Sequence, residues 1–170
     1  MKNIFVDGYN VINSWPDLKE KKDVSFEGAR QSLIDKLHNY GVFKECRIIL
    51  VFDAHKVLGS IEKKEEINRN ISVVFTKDGE TADAYIERHV NEMGRKHEVM
   101  VVTSDNLEQQ TIFQRGAVRM SSIEFYNEVL KVEKTINNKT DKIKINHKNS
   151  VADNINEDVV KKLEEMRRGK

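Results

Sequence analysis

Three apolar segments of the chain end in, or are followed by, an acidic residue. Asp7 closes the segment NIFVD, Asp53 follows IILVF, and Asp105 follows VVTS. The carboxyl ends of parallel strands open into one crevice, so these acids are expected to be neighbours in space although they are distant in sequence. A fourth acid, Asp83, falls at the edge of the apolar stripe of a predicted helix, from which it can reach the same rim.

A cluster of carboxylates needs compensation, because two like charges about 4 Å apart repel by roughly 4 kcal/mol at an effective dielectric constant of about 20. A proton or a cation can supply it, and hard oxygen ligands without Cys or paired His suit Mg²⁺ or Mn²⁺. Such an ion lowers the pKa of a bound water and neutralises charge that develops during phosphodiester hydrolysis. A side-chain nucleophile is then unnecessary, and the sequence contains no Ser elbow or reactive-cysteine pattern.

These acids also have structural alternatives. An Asp after a strand often serves only as the N-cap of the next helix, and for Asp53 this alternative is as strong as the functional one. Glu80 and Glu87 lie on the same side of the predicted helix as Asp83, where a solvated face is a stronger interpretation than a set of metal ligands. Ser104 could bind a metal-bound water or simply finish a strand. These four residues are therefore secondary candidates.

The elements that position the acids follow from hydrophobic periodicity. Five short apolar runs rich in β-branched residues predict strands buried on both faces of a parallel sheet, over residues 3–6, 47–52, 71–75, 99–103 and 117–120. Helical patterns separate the runs. They comprise a helix capped by Ser25 and ended by Gly41, one from Ala82 to Gly94, one from Ser104 or Asp105 to Phe113, and one over residues 123–132 capped by Ser121 or Ser122. This alternation predicts a doubly wound α/β domain.

Length and charge indicate one α/β domain with an appendage. A chain of 170 residues can bury one α/β core. Residues 131–170 carry eleven Lys and Arg against seven Asp and Glu, a net charge of +4, which leaves −3 for residues 1–130. Such a distribution fits a cation-collecting body joined to a basic tail. We predict a domain over residues 1–132, a polar linker or arm over 133–156 and a short basic helix over 157–170.

Composition excludes several other classes of protein. The single cysteine, Cys46, rules out an internal disulfide and a thiolate zinc cluster. The sequence shows no apolar run of membrane-spanning length and no signal-peptide core before its first charges. We therefore expect a cytoplasmic protein with neither a membrane partner nor a disulfide-linked one.

The motif DGYNVINSWP, which begins at Asp7, resembles the start of the NYN-domain family, a branch of the PIN-like nucleases, in its YacP type. Similar blocks run through nearly the whole chain, namely VFDAH, VVFTKDGETADAYIERHV, VVTSDNLEQQ, GAVRMSSIEF and KLEEMRRGK. Any one block alone would be a weak signal, whereas the set is specific. The segment over residues 135–150 matches no part of the pattern.

This resemblance implies a three-layer α/β/α PIN-like sandwich with a parallel sheet of about five strands in the order 3-2-1-4-5. It implies an endoribonuclease that uses Mg²⁺ or Mn²⁺, with Asp7, Asp83 and Asp105 as catalytic metal ligands. Asn10 would be their polar partner, in a tight turn that follows Asp7. It further suggests cleavage of mRNA on translating ribosomes, and hence a role in mRNA decay. The main rival is a catalytically weak RNA- or ribosome-binding adaptor on the same scaffold.

Several residues near these acids are candidates for contact with RNA. Arg30 could brace a carboxylate or hold the scissile phosphate, or its stem could lie along the core with a wet tip. Tyr9 and Trp15 could stack on unpaired bases, although burial against the sheet is slightly favoured. Basic side chains form further candidate phosphate contacts, although most such runs are simply solvated: Lys21, Lys22, Arg167 and Arg168.

Overall fold

A six-stranded sheet forms the centre of the structure, a computed structural model that describes residues 1–54, 61–93, 97–104, 116–153 and 157–169. The strands are β1 (Asn3–Asp7), β2 (Arg47–Phe52), β3 (Lys63–Glu66), β4 (Ile71–Phe75), β5 (Val99–Val102) and β6 (Val118–Met120). The helices are α1 (Gly8–Ser14), α2 (Pro16–Val24), α3 (Phe26–Lys44), α4 (Ala82–Met93), α5 (Ser122–Asp153) and α6 (Glu157–Arg167).

The strand order is β3-β4-β2-β1-β5-β6. The five predicted strands occupy the predicted order, with β1 between β2 and β5 and parallel to both. The sixth strand, β3, was not predicted, and it pairs antiparallel with β4 at the edge of the sheet. Its sequence KKEE has no apolar run to reveal it. Charged side chains on an edge strand discourage pairing with other chains.

Both faces of the central strands are buried, as their continuous hydrophobicity predicts. On one face, Phe5 of β1 and Val101 of β5 pack in a cluster with Tyr85 and Ile86 of α4. Because side chains alternate along a strand, Ile4 points to the opposite face, and it is equally buried. The sheet is therefore a rigid platform whose carboxyl edge holds the ends of β1, β2 and β4 in fixed register.

Helix α1 begins directly after β1, where the sequence predicted only a tight turn around Asn10. Asp7 is the N-cap of α1, and its Oδ1 accepts a hydrogen bond of 3.1 Å from the backbone N–H of Asn10. The prediction of a turn was wrong because a single Asx hydrogen bond begins either a turn or a helix. Burial of Val11 and Ile12 extends this one into a helix.

Gly8 allows α1 to start this close to the sheet. An added Cβ at Gly8 would lie 2.3–2.7 Å from ring atoms of Phe52, which is itself buried. We expect Gly8→Ala to lower the free energy of unfolding by about 1–3 kcal/mol, because the Phe52 ring has little space to move. Urea denaturation measures this. Gly28→Ala in α3 is the matched control, since its Cβ meets only ordinary contacts at 3.5 Å. It is expected to be neutral or stabilising by up to about 1 kcal/mol.

Helix α3 starts where the sequence predicted and ends later. Ser25 is its N-cap, with Oγ accepting from the Gly28 N–H at 3.1 Å. The predicted end at Gly41 was wrong, since α3 continues to Lys44 and Glu45 takes the left-handed conformation, with φ of 52°. Gly41 is instead a packing glycine, because an added Cβ would lie 3.3 Å from Cβ of Asn70.

Helix α5 begins with a reciprocal capping box, in which Ser121 Oγ accepts from the Glu124 N–H and the Glu124 carboxylate accepts from the Ser121 N–H. It continues to Asp153, so residues 133–153 are helical, a state that the prediction of a polar linker or loosely held arm did not include. Polar residues without Pro or Gly are compatible with an exposed helix, and composition alone does not distinguish the two states. The chain divides into two compact units, Met1–Val132 and Glu133–Lys170.

Candidate active site

Asp7 and Asn10 lie together at the carboxyl edge of the sheet. Asp7 ends β1 and is half-buried, while Asn10 occupies the first turn of α1. The side-chain Oδ1 of Asn10 is buried and has no hydrogen-bond partner among the described residues. A buried oxygen without a donor is unfavourable unless a water, an ion or a ligand satisfies it. Within the described residues, the pair therefore offers oxygen ligands whose hydrogen-bonding capacity is not filled.

The carboxyl group of Asp7 is electrostatically perturbed. Burial, together with the smaller effects of the negative charges of Asp83 and Asp53, raises its pKa from the ordinary 3.8 to about 6. Hydrogen bonds from the backbone N–H groups of Asn10 and Tyr9 oppose this shift. Three acids from β1, the end of β2 and α4 thus interact at this edge. A carboxylate in these surroundings is stabilised when it binds a proton or when a cation lies nearby.

Asp53 has a clear structural role. Its Oδ1 accepts a hydrogen bond from the backbone N–H of Ala82, the first residue of α4. Thr81 completes the start of this helix, with Oγ1 accepting from the Ala84 N–H at 3.2 Å. The two side chains satisfy N–H groups that an α-helix leaves without internal partners. Asp53 therefore helps to cap a helix, as the structural alternative for this residue predicted. Its negative charge also acts on Asp7.

Asp83 occupies the first turn of α4 and is half-buried. The positive end of the helix dipole favours an acid at this position. Because Asp53 and Thr81 hold the start of α4 at the rim of the sheet, the backbone of Asp83 is fixed there as well. Its charge is the largest single-residue influence that raises the pKa of Asp7.

Glu80 and Glu87 differ from Asp83 in their surroundings. The Glu80 side chain is only 9% exposed and is bound by Arg88, with 3.0 Å between Glu80 Oε1 and a terminal nitrogen of the guanidinium. Its Oε2 is buried without a hydrogen-bond partner in the described residues. Glu87 is half-buried one turn along α4. Glu80 is thus an ion-paired acid rather than the solvated residue that the sequence favoured.

The chain leaves β5 beside the end of β1, since Val6 and Val102 are register partners. Thr103 is buried and its N–H donates to the Met120 carbonyl at 3.2 Å, whereas Ser104 is exposed. Asp105, the third predicted ligand, lies outside the described residues, as does the helix predicted to follow it. Within the ranges that the structure describes, no group of three His, Cys, Asp or Glu side chains is arranged to hold a metal ion.

Arg30 and Tyr9 lie at the same edge of the sheet. The Arg30 guanidinium binds both carboxylate oxygens of Glu27, at 2.5 and 2.6 Å, and lies over the Phe75 ring. The Tyr9 ring stacks on Phe26 with 5.2 Å between centroids. Burial raises the pKa of Tyr9, the charge of Asp53 adds to this, and the charge of Arg30 opposes it. Both residues are half-buried. For each of them, the structure is compatible with both alternatives that the sequence offered, contact with RNA and a structural role.

Trp15 is fully buried, so the slightly favoured alternative of burial is right and its candidate role in base stacking is wrong. Its indole Nε1–H donates to the Ser122 carbonyl at 2.9 Å, and its ring packs against Phe125 and Tyr126 of α5. A buried indole with its N–H satisfied has no face for a nucleotide. Trp15 joins α1 to the start of α5 instead.

The candidate phosphate contacts lie on the surface. Lys21 donates to Ser32 Oγ and Lys22 to Asn13 Oδ1, each at 2.7 Å. Arg167 and Arg168 are exposed at the end of α6, in the second compact unit.

Sequence reasoning missed residues that hold the site in place. Thr76 Oγ1 accepts from the Ala54 N–H at 3.1 Å and donates to the Glu80 carbonyl at 2.6 Å. It thereby ties the chain after β2 to the loop before α4. A Thr after a strand carries no distinctive signal, whereas Thr81 three residues before Ala84 fits the N-cap preference and was detectable.

The described part of the chain contains no helix with the length and hydrophobicity that a membrane span requires. The sheet order, with acids at its carboxyl edge, defines a PIN-like α/β protein, and a solved structure of that class supports this. The chain matches the crystal structure of Rae1 (YacP) from Bacillus subtilis with a TM-score of 0.72 and 39% identity, over 99% of this chain and 96% of the other. A crystal structure of a mutant of that Bacillus subtilis protein matches with 40% identity and the same TM-score, over 85% and 84% of the two chains.

The chain belongs to the YacP-like NYN domain family, whose model matches residues 4–168. It is also 42% identical to the uncharacterized protein YacP of Bacillus subtilis (strain 168), over 99% of this chain and 98% of the relative. NYN domains are nuclease-like, which suggests a nuclease or RNA-related role, and they are generally metal-dependent.

Proposed function

We propose that this protein is a divalent-metal-dependent endoribonuclease that cleaves mRNA in association with the translating ribosome, as a step in mRNA decay. The observation that carries the proposal is the state of Asp7, a half-buried carboxyl group whose pKa burial and two neighbouring acids raise to about 6. Perturbed carboxyl groups in a crevice are typical of catalytic sites. Membership of a nuclease-like family favours this interpretation over a purely structural one.

The donor atoms fit Mg²⁺ or Mn²⁺. Asp7, Asp83 and Asn10 provide oxygen ligands only, which hard divalent cations prefer. The Oδ1 of Asn10, which has no partner in the described ranges, supports this assignment, because a cation or its bound water would satisfy it. We propose Asp105 as the third acid from the chain after β5. When bound, the ion would supply Lewis-acid activation of a water and neutralise charge on the phosphodiester.

The protein groups have separate roles in this proposal. Asp7 and Asp83 hold negative charge at the crevice, and Asp53 fixes the start of α4 so that Asp83 stays at the rim. The Asn10 backbone N–H orients the Asp7 carboxylate through the 3.1 Å hydrogen bond. Ser104, exposed after β5, is a candidate for a contact with water or phosphate. The RNA strand would approach this acidic edge with its phosphates, so affinity must come partly from other surfaces.

Cleavage assays test the proposal. Purified protein with Mn²⁺ is mixed with RNA that is either free or bound to translating ribosomes, and products are separated by size. We expect wild type to cut and Asp83→Asn and Asp105→Asn to lose at least about 100-fold in rate, because each removes a charge at the reacting phosphate. Glu92→Gln is the matched control, since Glu92 is an exposed acid on the same helix as Asp83.

Each outcome of this assay is informative. Unchanged cleavage by one Asp variant would remove that residue from the mechanism. Binding of ribosomes without cleavage by wild type would favour the adaptor alternative. Cleavage restricted to ribosome-bound RNA would support ribosome association, because docking raises the effective concentration of a weakly binding domain.

A further inference from the structure

Four aromatic rings and one arginine form a continuous group at the carboxyl edge of the sheet. We call it the aromatic rim, and its members are Tyr9, Phe26, Arg30, Phe52 and Phe75. Tyr9 contacts Phe26 and Phe52, with centroids 5.2 and 5.3 Å apart, and Phe52 stacks on Phe75 at 5.8 Å. Phe52 is fully buried and supports the group, whereas the other four members are half-buried. The inner side of the aromatic rim is therefore supported by a buried ring, and its outer side is accessible to solvent.

Arg30 lies on the outer side of this rim. Its guanidinium carbon is 5.2 Å from the centroid of the Phe75 ring, a distance typical of a cation–π contact. The Arg30 side chain is 26% exposed to solvent. One terminal nitrogen is bound to both oxygens of Glu27. Ring and carboxylate both contact the guanidinium, and the part of its planar surface that they leave uncovered is exposed to solvent.

The position of Arg30 relates it to the acids. Phe75 ends β4 and is the register partner of Phe52, while Asp7 is the partner of Val51 on the other side of β2. Two strand spacings, about 10 Å, thus separate the ends of β1 and β4. Tyr9 lies between them and is influenced by both Asp53 and Arg30. This distance exceeds the spacing of adjacent phosphates in a single strand, but it is within reach of the base that a neighbouring nucleotide carries.

The ion pair with Glu27 decides what Arg30 can recognise. The Glu27 carboxylate at 2.5 Å offsets part of the guanidinium charge and occupies one of its donor nitrogens, which lowers its attraction for a phosphate. Stacking does not need a net charge, since unpaired RNA bases stack on aromatic rings and on arginine planes alike. A ring-backed, charge-compensated guanidinium is therefore better suited to a base than to a phosphate.

We propose that Arg30 is the stacking site for the unpaired base of a nucleotide next to the cleaved phosphate, so that the RNA enters the site as a single strand. This rests on the proposed RNA cleavage at the neighbouring acids. Arg30 is in this view a specificity-determining residue that selects unpaired RNA. A paired base inside a duplex has both faces covered by its neighbours and has no face for Arg30.

Binding of two probes tests this. A short fluorescein-labelled single-stranded oligoribonucleotide and the same strand with its bases removed are titrated with protein in EDTA, and fluorescence anisotropy gives each Kd. Arg30→Lys keeps the charge but loses the planar surface. We expect it to weaken binding of the complete strand by about tenfold and to leave binding of the abasic strand unchanged. Thermal unfolding of the variant checks that it is folded.

Arg88→Lys is the matched control. Arg88 also lies 5.2 Å from a ring centroid, that of Tyr85, and it is likewise paired with acids, Glu80 and Glu62, but it is not part of the aromatic rim. We expect this variant to bind both probes as wild type does. Equal weakening of both probes by Arg30→Lys, or no weakening of either, would overturn the stacking site.

Cleavage measured in parallel separates this proposal from the proposed function. If wild type cuts RNA while Arg30→Lys binds the complete strand normally, the stacking site is wrong and the nuclease stands. If wild type shows the base-dependent binding without cleavage, the stacking site stands and the nuclease is wrong. Absence of binding by wild type to the complete strand overturns the stacking site.

Discussion

Asp7→Asn is expected to abolish RNA cleavage and, in the same molecule, to raise the free energy of unfolding of the metal-free protein by about 3 kcal/mol at pH 8. The loss of cleavage follows because the proposed metal site loses a charged ligand. The gain in stability follows because an ionised Asp7 is unfavourable in its buried position beside two other acids. Loss of activity with gain of stability is the signature of a functional carboxylate and not of a structural one.

The direction of the pH dependence follows from the raised pKa. Asp7 has a pKa of about 6 in the folded protein against the ordinary 3.8, so the folded state binds its proton more tightly than the unfolded state. The resulting stabilisation is fully present below about pH 3.8 and is lost as the pH rises through about 6. Each pKa unit corresponds to about 1.4 kcal/mol, which gives the figure of about 3 kcal/mol at pH 8.

Urea denaturation of wild type and Asp7→Asn in EDTA, at pH 4 and pH 8, measures this difference. Asn is as good an N-cap as Asp, so the start of α1 is kept in the variant. Asp7→Ala is the companion control, because it removes both the charge and the hydrogen bond to Asn10 and should be about 1 kcal/mol less stable than Asp7→Asn. Equal stability of wild type and Asp7→Asn at pH 8 would mean that Asp7 carries no electrostatic strain.

Addition of Mn²⁺ is expected to stabilise wild type by about 2.7 kcal/mol at pH 7.5 when the free ion is about 100 times its Kd. The cation offsets the repulsion between Asp7 and Asp83, and it binds the folded state in preference to the unfolded one. Thermal unfolding with and without the ion measures the effect. Asp7→Asn should gain much less, whereas Glu92→Gln should gain as much as wild type.

Acid should weaken this metal effect. A carboxylate must lose its proton before it binds a cation, so the affinity for Mn²⁺ follows the ionised fraction of Asp7. With a pKa of about 6, that fraction falls by about tenfold between pH 7 and pH 5. A stabilisation by Mn²⁺ that is the same at both pH values, or the same in Asp7→Asn, would exclude Asp7 as a ligand.

The proposed stacking site and the acids lie at the same edge of the sheet but act on different parts of the RNA. The acids of the crevice repel an RNA backbone, whereas the aromatic rim offers its bases a surface that does not depend on net charge. A protein with a net charge of only +1 has little general attraction for RNA phosphates, so contacts with bases would add affinity that its charge does not supply.

Much of the fold could be predicted from local patterns. The five apolar runs and the Ser25 cap were predicted because buried strands and helix caps leave signals within a few residues, whereas the strand order followed from the resemblance to the NYN-domain family. Strand β3 and the helical state of residues 133–153 were not predicted, since KKEE and the polar run after Glu133 have no hydrophobic period. The predicted end of α3 was also wrong, because Gly41 packs against other parts of the chain, Asn70 and Ile48 among them, and local sequence does not show these contacts.

The same division applies to the site. The sequence by itself determined that Asp7 and Asp53 follow strands and that Asp83 begins a helix, because residue type and strand position are local properties. Only the tertiary structure decided that Asp53 caps α4, that Trp15 is buried under α5, and that Arg30 lies over Phe75. The physical reason is that each of these depends on a partner distant in sequence, and desolvation and ion pairing act through space rather than along the chain.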